Sequence, residues 1–191
     1  MAATVEQIAV HAGQLDSPLA NAIHKLRLEA WPHLAGRADG TVEFLMMRWQ
    51  GYSGSERHQP IYHLVYAAGN LVAVAHTFGR TIASRERELS IMGLASVCVA
   101  RSERCHGYGR LVVQSAFARV DRGDFEFSLF QTTPAVEPFY RRLGVVTIHN
   151  RFYNSFADDP TANPFWDPVP MRYPASGSWP SSDIDLRGPG F

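Results

Sequence analysis

The segment Arg104-Cys105-His106-Gly107-Tyr108-Gly109 has the form R-x-x-G-x-G, and it constrains the chain more than any other stretch. It stands between a strand-like run ending Ser96-Val97-Cys98-Val99 and a stretch with Val113, Ala116, Phe117 and Val120 at i, i+3, i+4 and i+7. That spacing predicts an amphipathic helix to about Arg122, with Gly123 as its stop. Glycines at a strand-to-helix turn let the backbone come close to a ligand. Bare N–H groups there point out at the positive end of the helix dipole. The segment therefore predicts a phosphate-binding turn.

Two kinds of phosphate loop do not fit. A Walker loop needs a Gly-Lys pair, and the chain has none. A dinucleotide fingerprint needs G-x-G-x-x-G/A, whereas Gly107-Tyr108-Gly109-Arg110-Leu111-Val112 ends in valine. Gln131 stands where that fold would place an acidic residue after the next strand. The strands before the loop also read as an antiparallel meander rather than a βαβ unit.

The chain has 191 residues, 46% of them hydrophobic and 19% charged, which suits one globular domain spanning residues 1–191. Its 18 basic and 18 acidic residues balance, so no basic excess points to nucleic acid or a membrane surface. No apolar run approaches the ~20 residues of a membrane span. The start, Met1-Ala2-Ala3-Thr4-Val5-Glu6, lacks the basic and apolar regions of a secretion signal. Cys98 and Cys105 make a poor disulfide framework, and a cytoplasmic location is expected. The histidines and cysteines show no metal-ligand spacing.

Val5–Val10 alternates as a first strand. Asp16 or Ser17 caps a helix with Pro18 in its first turn and Leu19, Ile23, Leu26 and Ala30 on one face. A short helix follows near Val42–Met47, then strands over Pro60–Ala67 and Leu71–Phe78 around a Gly69-Asn70 turn. Ser84–Glu88 reads as a turn, and Leu89–Val99 as a strand buried on both faces. Beyond the loop helix, Phe125–Phe130 is a strand, Ala135–Leu143 a helix closed by Gly144, and Val145–Phe152 another strand. Residues 151–191 carry seven of the twelve prolines and several aromatics, and are expected to lie across the domain surface.

The strand to Val99, the loop, the helix and strand after it, and then Pro138-Phe139-Tyr140-Arg141-Arg142-Leu143-Gly144 together resemble the GCN5-related N-acetyltransferase superfamily. The resemblance covers about Leu89–Asn150. It implies an α+β fold with a central mixed, mostly antiparallel sheet of about six to seven strands and about four helices. It also implies acetyl-CoA as co-substrate and a small-molecule primary amine as acceptor, with amino sugars and aminoglycosides among the candidates; the charge balance points to no nucleic-acid or membrane partner. Whether the chain pairs as a homodimer stays open. Within the superfamily, Ser178–Phe191 is similar to the W-P-x-G-x-I-D-x-x-G-P ending of the nodulation acyltransferases NodA. The aromatic end after a glycine is also similar to the aminoglycoside 2'-N-acetyltransferases.

By that resemblance the donor is held by Arg104, Cys105, His106, Gly107, Tyr108, Gly109 and Arg110, by the strand edge at Val97, Cys98 and Val99, and by Gln131 and Pro138. A backbone N–H near Val99 is the oxyanion donor, and Tyr140 protonates the departing thiolate. The base is open. Leu89–Val99 holds no carboxylate, which leaves Glu88, His63, His76, ordered water, or the carboxylate of Phe191 if the tail folds back. Two further functions compete: a catalytically silent acyl-CoA-binding module, and a protein or peptide N-acetyltransferase. Cys98 reads as a small buried filler rather than a nucleophile.

Overall fold

A computed structural model describes residues 4–191; Met1–Ala3, at the head of the segment read for a secretion signal, lie outside the described residues. The strands are β1 (Val5–His11), β2 (Ile61–Ala67), β3 (Asn70–Ala83), β4 (Glu88–Val99), β5 (Phe127–Thr132), β6 (Val146–Thr147), β7 (Phe152–Tyr153), β8 (Val169–Tyr173) and β9 (Ile184–Asp185). The α-helices are α1 (Ser17–Ala30), α2 (Val42–Met47), α3 (Tyr108–Asp121) and α4 (Glu137–Arg141). The fold is α+β, with a mixed nine-stranded sheet of order β1-β2-β3-β4-β5-β8-β6; β9 pairs with β3 and β7. The chain divides into two compact units, one made of the residues up to Phe78 with Ala95–Ala118, the other of Gly79–Leu94 with Arg119–Phe191.

In the first unit β1 pairs antiparallel with β2, and β2 with β3. Helix α1 starts where the sequence places it: Asp16 Oδ1 accepts from Leu19 N at 2.9 Å, with Pro18 in the first turn. Thr41 caps α2 in the same way, accepting from Phe44 N at 3.1 Å. Ile23 and Leu26 of α1 pack with Leu45, Tyr62, Leu64, Val74 and Cys98. Helix α3 buries Val113, Ala116, Phe117 and Val120, as the periodicity predicts, and Val112 besides.

The β2–β3 turn falls one residue earlier than expected. Ala67 opposes Asn70, so the two loop residues are Ala68 and Gly69, with φ 48° and 77°. Both central positions of such a turn need positive φ to match the strand twist, and the chain tolerates alanine at one of them. Ala68→Gly should therefore raise unfolding stability by roughly 0.5–1 kcal/mol, read from a urea midpoint at unchanged slope.

In the second unit β4 runs parallel to β5, from Ile91 opposite Phe127 to Gly93 opposite Leu129. Residues 151–191 are more than a surface cover. β8 pairs antiparallel with β5 and with β6, and Phe165, Met171, Ile184 and Leu186 are buried. Proline hides this strand from a sequence reading because it removes a ladder donor. The Pro170 carbonyl nonetheless accepts from Ile148 N at 3.0 Å. Buried Arg172 hides it further. Its guanidinium is bonded to the carbonyls of Pro174, Ala175 and Ser176 and lies over the rings of Phe127 and Trp179.

The expected strand Val145–Phe152 is two short pieces, β6 and β7, with different partners: β8 for the first and β9 for the second. Asn150 sits between them. Its amide donates to Pro180 O and Ser182 O and accepts from Trp179 Nε1, which turns the backbone toward the tail. The predicted helix Ala135–Leu143 contracts to α4, and Gly144 closes it at φ 81°.

Glu86 fastens the tail from the β3–β4 turn. It accepts from Ser182 Oγ at 2.5 Å, from Ser181 Oγ at 3.2 Å and from both serine amides. The hydrogen bond from Ser182 is the main reason that its carboxyl is held down at about 2. A depressed carboxyl adds stability that is complete above its ordinary range and is lost as pH falls toward the folded value. Tail proteolysis should therefore rise as pH drops from about 5 toward 2 in the parent protein. In Glu86→Gln it should be high and flat across that range.

Candidate functional site

The glycine loop leaves β4 through a short 3₁₀ turn at Arg101–Glu103 and enters α3. Cys105 and Gly107 hold φ of 67° and 85°, which curls the chain twice within three residues. The Gly107 carbonyl accepts from Leu111 N at 3.2 Å, so Gly107 is the N-cap of α3. A glycine cap offers no side chain to the first turn. The N–H groups of Tyr108, Gly109 and Arg110 then have no intrahelical acceptor and point out of the helix end. A Cβ placed on Gly107 meets nothing within 4 Å, so the space beside it is open. Arg104, Arg110 and His106 are exposed, and the His106 ring stacks near Tyr108 at 6.0 Å between centroids. Neither arginine makes an ion pair among the described residues. The ensemble can take a doubly charged phosphate group: backbone donors, a helix dipole and two cations.

Strand β4 adds a second feature. Ala100 N donates to Val72 O of β3 at 2.9 Å. Main-chain groups alternate in direction along a strand, so Cys98 shares that side. Val97 and Val99 then turn their N–H and C=O groups to the opposite edge. Ser96, just before them, has φ 54°, a left-handed kink inside a strand. Cys98 is the buried filler the sequence predicts. Its thiol is pushed up to about 12, chiefly by burial, so it is no nucleophile at neutral pH.

In the second unit Tyr140 is 5% exposed, its ring 4.6 Å from Phe130 and 4.9 Å from Phe139 between centroids. Pro138 lies in the exposed first turn of α4. Gln131 engages the tail with its side chain: Nε2 donates to Phe191 O at 3.1 Å, and Oε1 accepts from Asp167 N at 2.7 Å. Phe191 is buried, edge-on to Phe165 at 5.6 Å, with the Arg80 guanidinium 4.9 Å over its ring. The end of the tail thus packs on Gln131, Phe165 and Arg80.

The other candidates for a base have structural partners. His63 is buried and bonded through Nδ1 to Ser115 Oγ at 3.0 Å and through Nε2 to Thr77 Oγ1 at 3.1 Å. His76 is buried and stacked 4.6 Å from Tyr62. Glu88 pairs with Arg187 at 2.6 Å. Two residues missed in the sequence stand out in the first unit: Arg27, buried in α1, and Arg48 at the end of α2. Arg27 follows Ile23 by four residues, so its charge falls in the core register, and that misplaced charge is the signal that would have found it.

No family model matches the chain, and no curated protein matches it in sequence. Solved structures match its fold. An acyl-CoA N-acyltransferase from Pseudomonas aeruginosa superposes with a TM-score of 0.58 at 14% identity, covering 88% of this chain and 99% of that one. A glucosamine-6-phosphate N-acetyltransferase from Arabidopsis thaliana does so with 0.58 at 13% identity, over 81% of this chain and 99% of that one. A GCN5-related N-acetyltransferase from Kribbella flavida gives 0.54 at 17% identity over 76% of this chain, which spans only 34% of that larger protein. The chain has the GCN5-related N-acetyltransferase fold. Among the described residues no helix is long and apolar enough to cross a membrane.

Proposed function

We propose that the chain is an acyl-CoA-dependent N-acyltransferase that moves an acetyl group from acetyl-CoA to the primary amine of a small molecule. One observation carries the reading. Gly107, at φ 85° with open space beside it, caps α3 in the loop that follows a strand whose Val97 and Val99 main-chain groups face away from β3. The first-turn amides with Arg104 and Arg110 suit a pyrophosphate, and the edge of β4 suits the amides of a pantetheine arm. Neighbours of the same fold that carry acyltransferase names support it.

The acetyl group travels on the co-substrate as a thioester, and the protein's residues do the rest. The loop amides hold charge without moving it. The Val99 N–H donates to the carbonyl oxygen as negative charge gathers there, a contribution of about 10²–10³ in rate for such a donor. The amine nitrogen bonds to the acetyl carbon as the carbon–sulfur bond breaks. Tyr140 gives its phenolic proton to the leaving sulfur and regains one from solvent, while ordered water takes the proton from the nitrogen. Phe191, seated on Gln131 and under Arg80, acts as a positioning residue for the tail against β5.

A second reading has one observation in its favour. Leu89–Val99 holds no carboxylate, and Glu88 is paired with Arg187, which suits an acyl-CoA-binding module without turnover. Thiol release decides between them. Acetyl-CoA incubated with a panel of small amines should yield free CoA thiol at a rate that scales with protein concentration. Tight acetyl-CoA binding with no thiol release above the blank for any amine would favour the silent module.

A further inference from the structure

The first unit holds more positive charge than its own acids neutralise. Helix α1 buries Ile23, Leu26 and Arg27 on one face. Arg27 is 8% exposed, and its Nη2 donates to the Asp39 carbonyl at 3.3 Å. Its Nε and Nη1 are enclosed and find no acceptor among the described residues. The indole Nε1 of Trp49, packed against the same cluster, is in the same condition. Buried donors are nearly always bonded, and an unmatched buried guanidinium is a costly exception.

Arg48 stands beside this group. It is exposed, and its guanidinium lies 5.1 Å over Trp49, 5.4 Å over Phe44 and 5.8 Å over Phe78. Its guanidinium makes no ion pair or hydrogen bond among the described residues, while its main-chain N–H closes α2 on Phe44 O at 3.0 Å. Desolvation against these rings lowers its pKa; Arg27 lowers it further, and Tyr62 and Asp39 act in the opposite direction. Asp39 acts on both Arg27 and Arg48, but its carboxylate is bonded to Arg37. Asp39 accepts from Arg37 Nε at 2.9 Å and Arg37 Nη2 at 3.3 Å. Three arginines thus face one carboxylate. Glu29 is engaged with the Arg101 amide at 3.3 Å, and Glu43 is exposed on α2. The Tyr62 hydroxyl feels both Arg27 and Arg48.

We propose that Arg48, backed by the enclosed Arg27, binds an oxyanion, a carboxylate or a phosphate, carried by the amine that accepts the acetyl group. Arg48 on its aromatic platform is the member that solvent reaches. A guanidinium held flat by rings presents its N–H fork in a fixed plane, which matches either oxyanion in two parallel hydrogen bonds. Arg27 lies deeper and supplies field. Cys98, the neighbour of Val99 on β4, packs in the same cluster as Leu26, Leu45 and Trp49, so the anion site and the strand edge assigned to the donor share one core. The acceptor is then an anionic amine rather than a polycation. This inference rests on the acyltransferase reading for the word acceptor, but not for the anion site itself.

The experiment uses the full chain, parent and Arg48→Gln, with Arg48→Lys as the conservative variant. Ethanolamine, β-alanine, O-phosphoethanolamine and spermidine are titrated by calorimetry, and each is then tried in thiol release with acetyl-CoA. The parent should bind the better of β-alanine and O-phosphoethanolamine at least about tenfold more tightly than ethanolamine or spermidine. Which of the two wins identifies the oxyanion. Arg48→Gln should erase the preference, Arg48→Lys should keep part of it, and acetyl-CoA affinity should stay within about twofold in both. Equal binding of ethanolamine and both anionic amines by the parent, or a preference that survives Arg48→Gln, overturns the site. An Arg48-dependent preference without thiol release keeps the anion site and removes the acyltransferase reading. Thiol release with no preference for anionic amines does the reverse.

Discussion

Tyr140→Phe is expected to lower kcat for thiol release by about 10²-fold or more, with acetyl-CoA affinity changed less than about twofold. The ring of Tyr140 is buried against Phe130 and Phe139, and phenylalanine keeps that packing. The substitution removes one oxygen and its proton. A general acid acts only as the sulfur departs, so its loss appears in the rate and not in ground-state binding. Stopped thiol assays at saturating acetyl-CoA, with calorimetric titration of the same samples, separate the two quantities. A melting temperature close to the parent's shows that packing is intact. Equal turnover in both proteins would remove Tyr140 as the acid.

Gly107→Val should act the other way round, on binding. The residue sits at φ 85°, where a β-branched side chain is strained by about 1–3 kcal/mol, so the melting temperature should fall by several degrees. The new Cβ meets no protein atom within 4 Å, so the loop can still close around the empty site. The methyls instead enter the space assigned to the pyrophosphate. Acetyl-CoA affinity should drop by about 100-fold, a penalty of about 2.7 kcal/mol in binding. A dissociation constant within about threefold of the parent's would mean that this loop does not hold the donor.

The glycine loop was legible in the sequence because its geometry is local. Glycine at 107, the helix period from Val113 to Val120 and the stop at Gly123 are short-range signals, and each is observed. Asp16 and Pro18 mark the start of α1 for the same reason. Features set by distant partners were not legible. The alternation of β8 is broken by Pro170 and by Arg172, whose charge is satisfied by three carbonyls of the turn that follows it. The run Val145–Phe152 has the period of one strand, but Asn150 is drawn off by Trp179, Pro180 and Ser182, about thirty residues away.

The cationic cluster was hidden for a third reason. Arg27 and Arg48 lie 21 positions apart (48 − 27) on two helices, and neither belongs to a motif. Only the burial of Arg27 and the rings beneath Arg48 bring them to notice. Short-range patterns therefore described the glycine loop and the helix that follows it. The arginine cluster is assembled by packing.

The R-x-x-G-x-G turn and the edge of β4 are proposed to hold an acyl-CoA. Isothermal titration of the full chain with acetyl-CoA, and in parallel with NAD, tests this most directly. The prediction is saturable binding of one acetyl-CoA per chain, weakened by Gly107→Val, with no heat of binding for NAD. Saturable binding of NAD with none of acetyl-CoA would contradict it.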